Sequence, residues 1–167
     1  MRIRACITID APPGAVWADV KHLDTHVEWM RDAESIEFRD HPGRRRKLRL
    51  LRRRSAKPPS PARRRTGVGT ELECRTSFGP LATTDLMVVT EWRPRRAIGM
   101  SHRGAVRGRG RFTLRRRRGG RTQFCWSERL QFPWRMGGPI GELVAWPLLR
   151  AIWKGNLRRL KERVERR

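Results

Sequence analysis

The order of hydrophobic patterns along the chain constrains its fold more than any single motif. Residues 2 to 10 alternate, with Ile3, Ala5, Ile7 and Ile9 on one side and Arg2, Arg4, Thr8 and Asp10 mostly on the other, which is the period of a half-buried strand. Pro12 and Pro13 then open a short helix, where a missing N–H does no harm, and Val16, Trp17 and Val20 give it an apolar face. Thr25 and Glu28 have capping-box spacing, so a second short helix is expected from Asp24 or Thr25. A strand over Ala33 to Phe38 follows it. After a basic interruption the alternation resumes: Leu72, Cys74, Thr76 and Phe78; then Leu86, Val88, Thr90 and Trp92; then Ile98, Met100 and His102; then Phe112 and Leu114; then Phe124, Trp126, Glu128, Leu130 and Phe132. Gly79-Pro80 and Gly119-Gly120 mark turns between these runs, and consecutive strands joined by short turns predict an antiparallel meander.

The chain closes on a long amphipathic segment after Gly137-Gly138-Pro139. Ile140, Leu143, Val144, Leu149, Ile152, Trp153, Leu157, Leu160 and Val164 fall at helical spacing. Its first half is apolar nearly all round and needs cover on several sides, which a strongly curved sheet would supply, with a local kink expected at Pro147. The predicted fold is therefore α+β, a curved antiparallel sheet gripping one long C-terminal helix, with two short helices near the N-terminus and a pocket between. At 167 residues, the whole chain is expected to be one domain.

Charge bounds the partners. The net charge is +24, and residues 39 to 65 carry 13 Lys and Arg against the single Asp40. That segment also contains Pro42, Pro58, Pro59 and Pro61, and blocks of like charge with missing backbone donors predict a disordered loop. Arginine outnumbers lysine 35 to 5, which suits phosphate recognition, although a GC-rich coding sequence yields the same ratio. Non-specific contact with nucleic acid or an anionic membrane through residues 39 to 65 is the expected consequence. Selective RNA or ribosome binding ranks lower, because the loop lacks aromatic residues on which bases could stack.

Cys6, Cys74 and Cys125 are dispersed and lack metal-ligand spacing, so they read as reduced thiols in strands of a cytoplasmic protein. No signal peptide and no transmembrane run is recognisable. The oligomeric state is left open.

Strand parity selects the candidate site. If the apolar set of each strand faces the C-terminal helix, Thr76, Thr90, His102 and Glu128 point inward with it. They would share an interior with Trp92, Phe112, Trp126 and Trp153, and Gly110 would leave room for a ligand. An inward Glu128 needs a partner, and His102 is chemically suited to the role. His102 and Glu128 are thus the acid–base candidates if the protein is an enzyme. The rest of the motif inventory is thin. His22 and His26 have helical metal spacing, but Asp24 and Thr25 break the helix between them, so both are expected on the surface and no metal or cofactor is implied. No serine or cysteine is flanked like a nucleophile elbow. Trp134 and Met136 are placed at the end of the sheet, where they could edge the cavity mouth or touch a membrane during ligand exchange, although ordinary packing of one aromatic loop explains them equally well.

Three segments together carry a resemblance: ITIDAPPGAVWADVKHLDTHVEWM, GVGTELECRTSFGPLATTDLMVVTEWRP and FCWSERLQFPWRMGGPIGELVAWPLLRAIWKGNLRRLKERVE. They resemble the polyketide cyclase/dehydrase branch of the START-like, or SRPBCC, superfamily, over nearly all of the chain except residues 39 to 65. The resemblance implies a helix-grip (START or Bet v 1-like) fold, with seven strands wrapping a long C-terminal helix and two short helices closing one end of a hydrophobic cavity. It implies binding of a hydrophobic or polycyclic small molecule, lipid-like or polyketide-like. The enzymatic alternative is a polyketide cyclase or dehydratase acting in that cavity. Because relatives on this fold range from lipid carriers to cyclases and a ribosome-associating toxin, the site must choose among them.

Overall fold

The computed structural model describes residues 1–39, 66–78 and 81–167. The expected basic loop therefore lies, apart from Arg39, outside the described residues; Arg39 itself pairs with Glu73 at 2.9 Å, extending the edge of the sheet.

Seven strands form one antiparallel sheet: β1 (Arg2–Ile9), β2 (Ala33–Phe38), β3 (Glu71–Phe78), β4 (Leu81–Arg93), β5 (Ala97–Arg103), β6 (Arg107–Arg116) and β7 (Thr122–Gln131). Their order is β1-β7-β6-β5-β4-β3-β2. The meander from β2 to β7 is sequential, and β1 closes on β7 with Arg2 opposite Arg129 and Ile9 opposite Thr122. Helix α1 (Pro13–Val20) and a 3-10 segment (Leu23–Glu28) connect β1 to β2, and helix α2 (Gly138–Glu165) follows β7. This is the expected α+β helix-grip arrangement.

The core lies where the concave face of the sheet meets α2 and α1. Ile3, Ile9, Val16, Val20, Phe124, Leu157 and Leu160 are almost completely removed from water, and burial of such side chains is worth about 1.5–3 kcal/mol each. Polar links fix the helices. Arg163 of α2 donates to Asp19 of α1 at 2.7 Å and also reaches Glu28. The buried Asn156 donates to Asp32 at 2.6 Å and accepts from the Arg31 N–H at 3.2 Å.

Four local expectations are corrected. The second short helix is a 3-10 segment beginning at Leu23, and Thr25 turns its hydroxyl back to the His22 carbonyl at 2.9 Å, so no capping box forms. His26 is buried: its Nε2–H donates to the Val20 carbonyl at 2.9 Å, and its ring packs on Trp29 and Phe112. Cys6 and Cys125 form a disulfide, because the pairing of β1 with β7 makes residues 119 apart in sequence direct cross-strand neighbours; Cys74 is the free cysteine. A cytoplasmic assignment resting on three reduced thiols loses that support. Finally, α2 runs through Pro147, but the sheet does not cover its first half: Ile140, Leu143, Val144 and Leu148 are all exposed.

Candidate functional site

The concave face of the sheet, the 3-10 segment and α2 enclose a cavity of about 750 Å³. Its walls are mainly apolar, with Leu72, Ile98, Met100, Phe112, Trp126 and Trp153 among them. Aromatic contacts hold one side rigid: Trp126 stacks on Trp153 with ring centroids 4.8 Å apart, and Phe112 meets Trp126 edge-on at 5.4 Å. Such stacked and edge-on pairs add to area burial and restrict ring motion.

A cluster of three ionisable side chains stands out in this lining. His102 Nδ1 lies 2.5 Å from Asp85 Oδ2, and His102 Nε2 lies 3.3 Å from Glu128 Oε2. The second contact has ion-pair distance without hydrogen-bond alignment, so Glu128 Oε2 is buried with no hydrogen-bond donor. Glu128 Oε1 is held by the Trp126 indole N–H at 2.7 Å, and Asp85 Oδ1 by the Gly104 backbone N–H at 2.8 Å. Burial alone would depress the basicity of His102, but the hydrogen bond to Asp85 and the nearby Glu128 carboxylate outweigh it and push its pKa up to about 10. At neutral pH the imidazole is therefore a cation between two carboxylates.

Two glycines make this cluster possible. A Cβ on Gly110 would fall 2.3 Å from Glu128 Oε1, and one on Gly104 would fall 2.0 Å from Asp85 Oδ1. Any larger residue at either position would displace the carboxylate.

Strand register explains where each expected site residue stands. Thr76, His102, Gly110, Phe112, Trp126, Glu128 and Trp153 all line the cavity. Thr90 does not: it is exposed. Val89 pairs with Met100 while Glu91 pairs with Gly99, so Thr90 is the extra residue of a β-bulge. Before the bulge the inward set of β4 is Asp85, Met87 and Val89, opposite to the parity of a straight strand. After it Trp92 returns inward, but it packs edge-on against Trp17 of α1 at 5.3 Å and is not part of the cavity wall. Asp85 is consequently the functional candidate that strict alternation placed on the wrong face. Its signal in the sequence is the Val88-Val89 doublet, which breaks the period of two, together with an aspartate inside a strand, where that residue is disfavoured.

Other titratable groups border the same space. Burial lowers the pKa of His26 to about 4 despite its bond to the Val20 carbonyl, so it is neutral at ordinary pH. Cys74 lies 3.6 Å from the Thr76 hydroxyl, and burial pushes its thiol up. Met136 lines the cavity mouth, whereas Trp134 stands 83% exposed beside it. Among the described residues, no group of three or more His, Cys, Asp or Glu side chains is placed to hold a metal ion. Nor is any helix there long and apolar enough to cross a membrane.

No protein-family profile matches the chain, and no curated protein matches it. Solved structures do match. A protein from Thermus thermophilus superposes with a TM-score of 0.69 at 20% identity, covering 98% of this chain and 97% of that one. The Zhui aromatase/cyclase from a Streptomyces species also has a TM-score of 0.69, at 13% identity, over 100% of this chain and 94% of its own. A Deinococcus radiodurans protein matches with a TM-score of 0.64 at 14% identity, over 99% and 97%. At these identities the likeness establishes the fold alone: the chain has a helix-grip fold, which these structures share.

Proposed function

We propose that the protein binds a hydrophobic, polycyclic or polyketide-like small molecule in the internal cavity, oriented by the Asp85–His102–Glu128 cluster. The observation that carries this reading is an apolar cavity of about 750 Å³ with Asp85, His102 and Glu128 brought together on its sheet wall. Volumes in the range of about 300–1,000 Å³ accommodate drug-sized ligands, with affinity from burial and orientation from a few polar groups. The aromatic wall suits a flat ring system. The fold shared with an aromatase/cyclase is compatible with such a ligand.

A second reading, acid–base catalysis of cyclisation or dehydration, is favoured by Glu128 Oε2, which accepts no hydrogen bond and lies at ion-pair distance from a charged His102. Glu128 would accept a proton from an acidic C–H or hydroxyl of the ligand, and the His102 Nε2–H, poorly aligned with Glu128, would turn to stabilise the resulting enolate oxygen. The proton held by Glu128 would then return to a departing hydroxyl as water leaves.

Native mass spectrometry of the purified protein, with extraction of any small molecule it carries, tests the first reading directly. In parallel, Met87→Trp narrows the cavity and should abolish binding of a fluorescent hydrophobic probe while cooperative unfolding is retained. Unchanged probe affinity in a folded Met87→Trp protein would place the ligand elsewhere. Glu128→Gln separates the two readings, since a carrier changes affinity modestly whereas a proton-transfer catalyst loses about a hundredfold or more in rate with ligand still bound.

A further inference from the structure

The first half of α2 carries an exposed apolar stripe. Ile140, Leu143, Val144 and Leu148 recur at intervals of three and four residues and are 74%, 77%, 72% and 57% exposed. Trp134 and Met136, in the turn just before the helix, extend it. The contrast with the second half of the same helix is sharp, since Leu149, Trp153, Leu157 and Leu160 are buried against the sheet. Isolated exposed hydrophobics need no explanation, but a contiguous stripe on one element does. Val144, Leu148 and Met136 of this stripe also line the cavity, so the apolar surface is continuous with its mouth.

Charge surrounds the stripe with one sign. Arg103 and Arg107 face each other across the β5–β6 turn, whose Ala105 and Val106 line the same cavity, and both are exposed. Arg135 stands exposed at the mouth, and the Arg150 guanidinium lies 5.5 Å over the Trp146 ring. Next to them, Arg2, Arg129 and Arg109 form a cross-strand row on the outer face, all exposed and none paired with a carboxylate among the described residues. The Trp146 indole N–H donates to the Arg2 carbonyl at 3.2 Å, tying this row to α2. Like charges directly opposite one another in a sheet are destabilising. The single acid between residues 132 and 154, Glu142, is taken up by the Met1 ammonium and the Phe132 N–H.

We infer that this face docks on an anionic lipid bilayer, with the apolar stripe and Trp134 entering the interface and the arginines resting on lipid phosphates, so that the cavity mouth opens into the membrane. An apolar helix face flanked by arginine and tryptophan is what interfacial binding requires, and anionic lipid supplies the charge that the arginine surround lacks. A second copy of the chain would instead bring the same positive rim against its own. A hydrophobic ligand could then move between bilayer and cavity without crossing water.

The test uses the full chain with phosphatidylcholine vesicles, with and without phosphatidylglycerol, and the Ile140→Glu, Leu143→Glu double variant. Neither residue lines the cavity. Wild type should sediment with the anionic vesicles and its tryptophan fluorescence should be quenched by bromine-labelled lipid, with much of that quenching lost in Trp134→Phe. The double variant, with an unchanged circular dichroism spectrum, should partition at least about tenfold more weakly. Equal partitioning of the variant would show that charge elsewhere holds the protein to the vesicle, and absence of quenching would show that nothing inserts; either overturns the inference. A wild-type dimer that ignores vesicles and is dissociated by the double variant would assign the face to a second copy instead.

Discussion

His102 Nδ1 and Asp85 Oδ2 stand 2.5 Å apart across β4 and β5, although the residue directly opposite His102 in register is Met87. The contact is therefore diagonal, reaching two residues along the neighbouring strand, a separation that long side chains on one face of a sheet can span. It places an imidazolium between two acids inside an otherwise apolar wall. Three ionisable groups taken from water together are stable only as a set, because each one's charge is compensated by the others.

Asp85→Asn should therefore lower the pKa of His102 from about 10 toward its ordinary range, since the largest single contribution that raises it, the hydrogen bond to Asp85, is lost. The variant should also lose about 3 kcal/mol of stability in urea, the scale for removing one partner of a buried ion pair. Titration of the His102 ring by NMR is the deciding measurement. A histidine that titrates as in wild type would show that Asp85 is not what holds it charged.

Gly104→Ala should be disproportionately harmful for so small a change. Its Cβ would meet Asp85 Oδ1 at 2.0 Å and the Asp85 Cα at 2.9 Å, and backbone cannot swing away as a side-chain tip can. A loss of about 2 kcal/mol is expected, together with a lowered His102 pKa. Gly14→Ala is the control: its Cβ would lie in ordinary contact, 3.9 Å from Arg95 Cδ, and helix propensity should make it neutral or stabilising by up to about 1 kcal/mol. Equal behaviour of the two variants would remove the steric account of how Asp85 is seated.

What the sequence makes legible here follows from periodicity. The strands around His102, Phe112 and Trp126 keep a period of two without interruption, and their inward faces are readable by counting. Counting fails on β4, where one inserted residue at Thr90 inverts every side chain on one side of it, which hides Asp85 and misplaces Thr90. His26 is misread for a different reason: a lone histidine between two acids looks solvated until the turn after α1 offers it a carbonyl partner. The Cys6–Cys125 bond depends on the pairing of the first strand with the last, which local pattern does not specify. The open half of α2 escapes prediction because the reach of a curved sheet is a property of its whole geometry.

The bulge itself can be tested. Thr90→Lys should change stability by no more than about 0.5 kcal/mol, as expected for an exposed position. Deleting Thr90 should be far more damaging, because restoring a straight strand forces either Trp92 off Trp17 or Asp85 away from His102. Comparison of the two denaturation midpoints decides the matter. A tolerated deletion would mean that the register of β4 is not fixed by its contacts on both sides of the bulge.

The buried His26 and the half-buried His102 should give stability opposite dependences on pH. His26 has a folded pKa of about 4, below the ordinary histidine value of 6.5, so between these values the unfolded chain binds the extra proton. Its contribution is complete above pH 6.5 and is lost as pH falls toward 4, with a total on the order of 3 kcal/mol by linkage. His102 behaves the other way: raised from 6.5 to about 10, it contributes fully below pH 6.5 and loses that contribution as pH climbs to 10. Urea denaturation from about pH 4 to about pH 10 on wild type, His26→Gln and His102→Gln isolates each limb, because carboxylates titrating in the same acid range are common to all three proteins. Relative to wild type, His26→Gln should flatten the acid limb and leave the alkaline limb in place, whereas the alkaline limb should be flattened in His102→Gln. An acid limb that stays parallel in His26→Gln would show that this ring is not held neutral by burial against Val20.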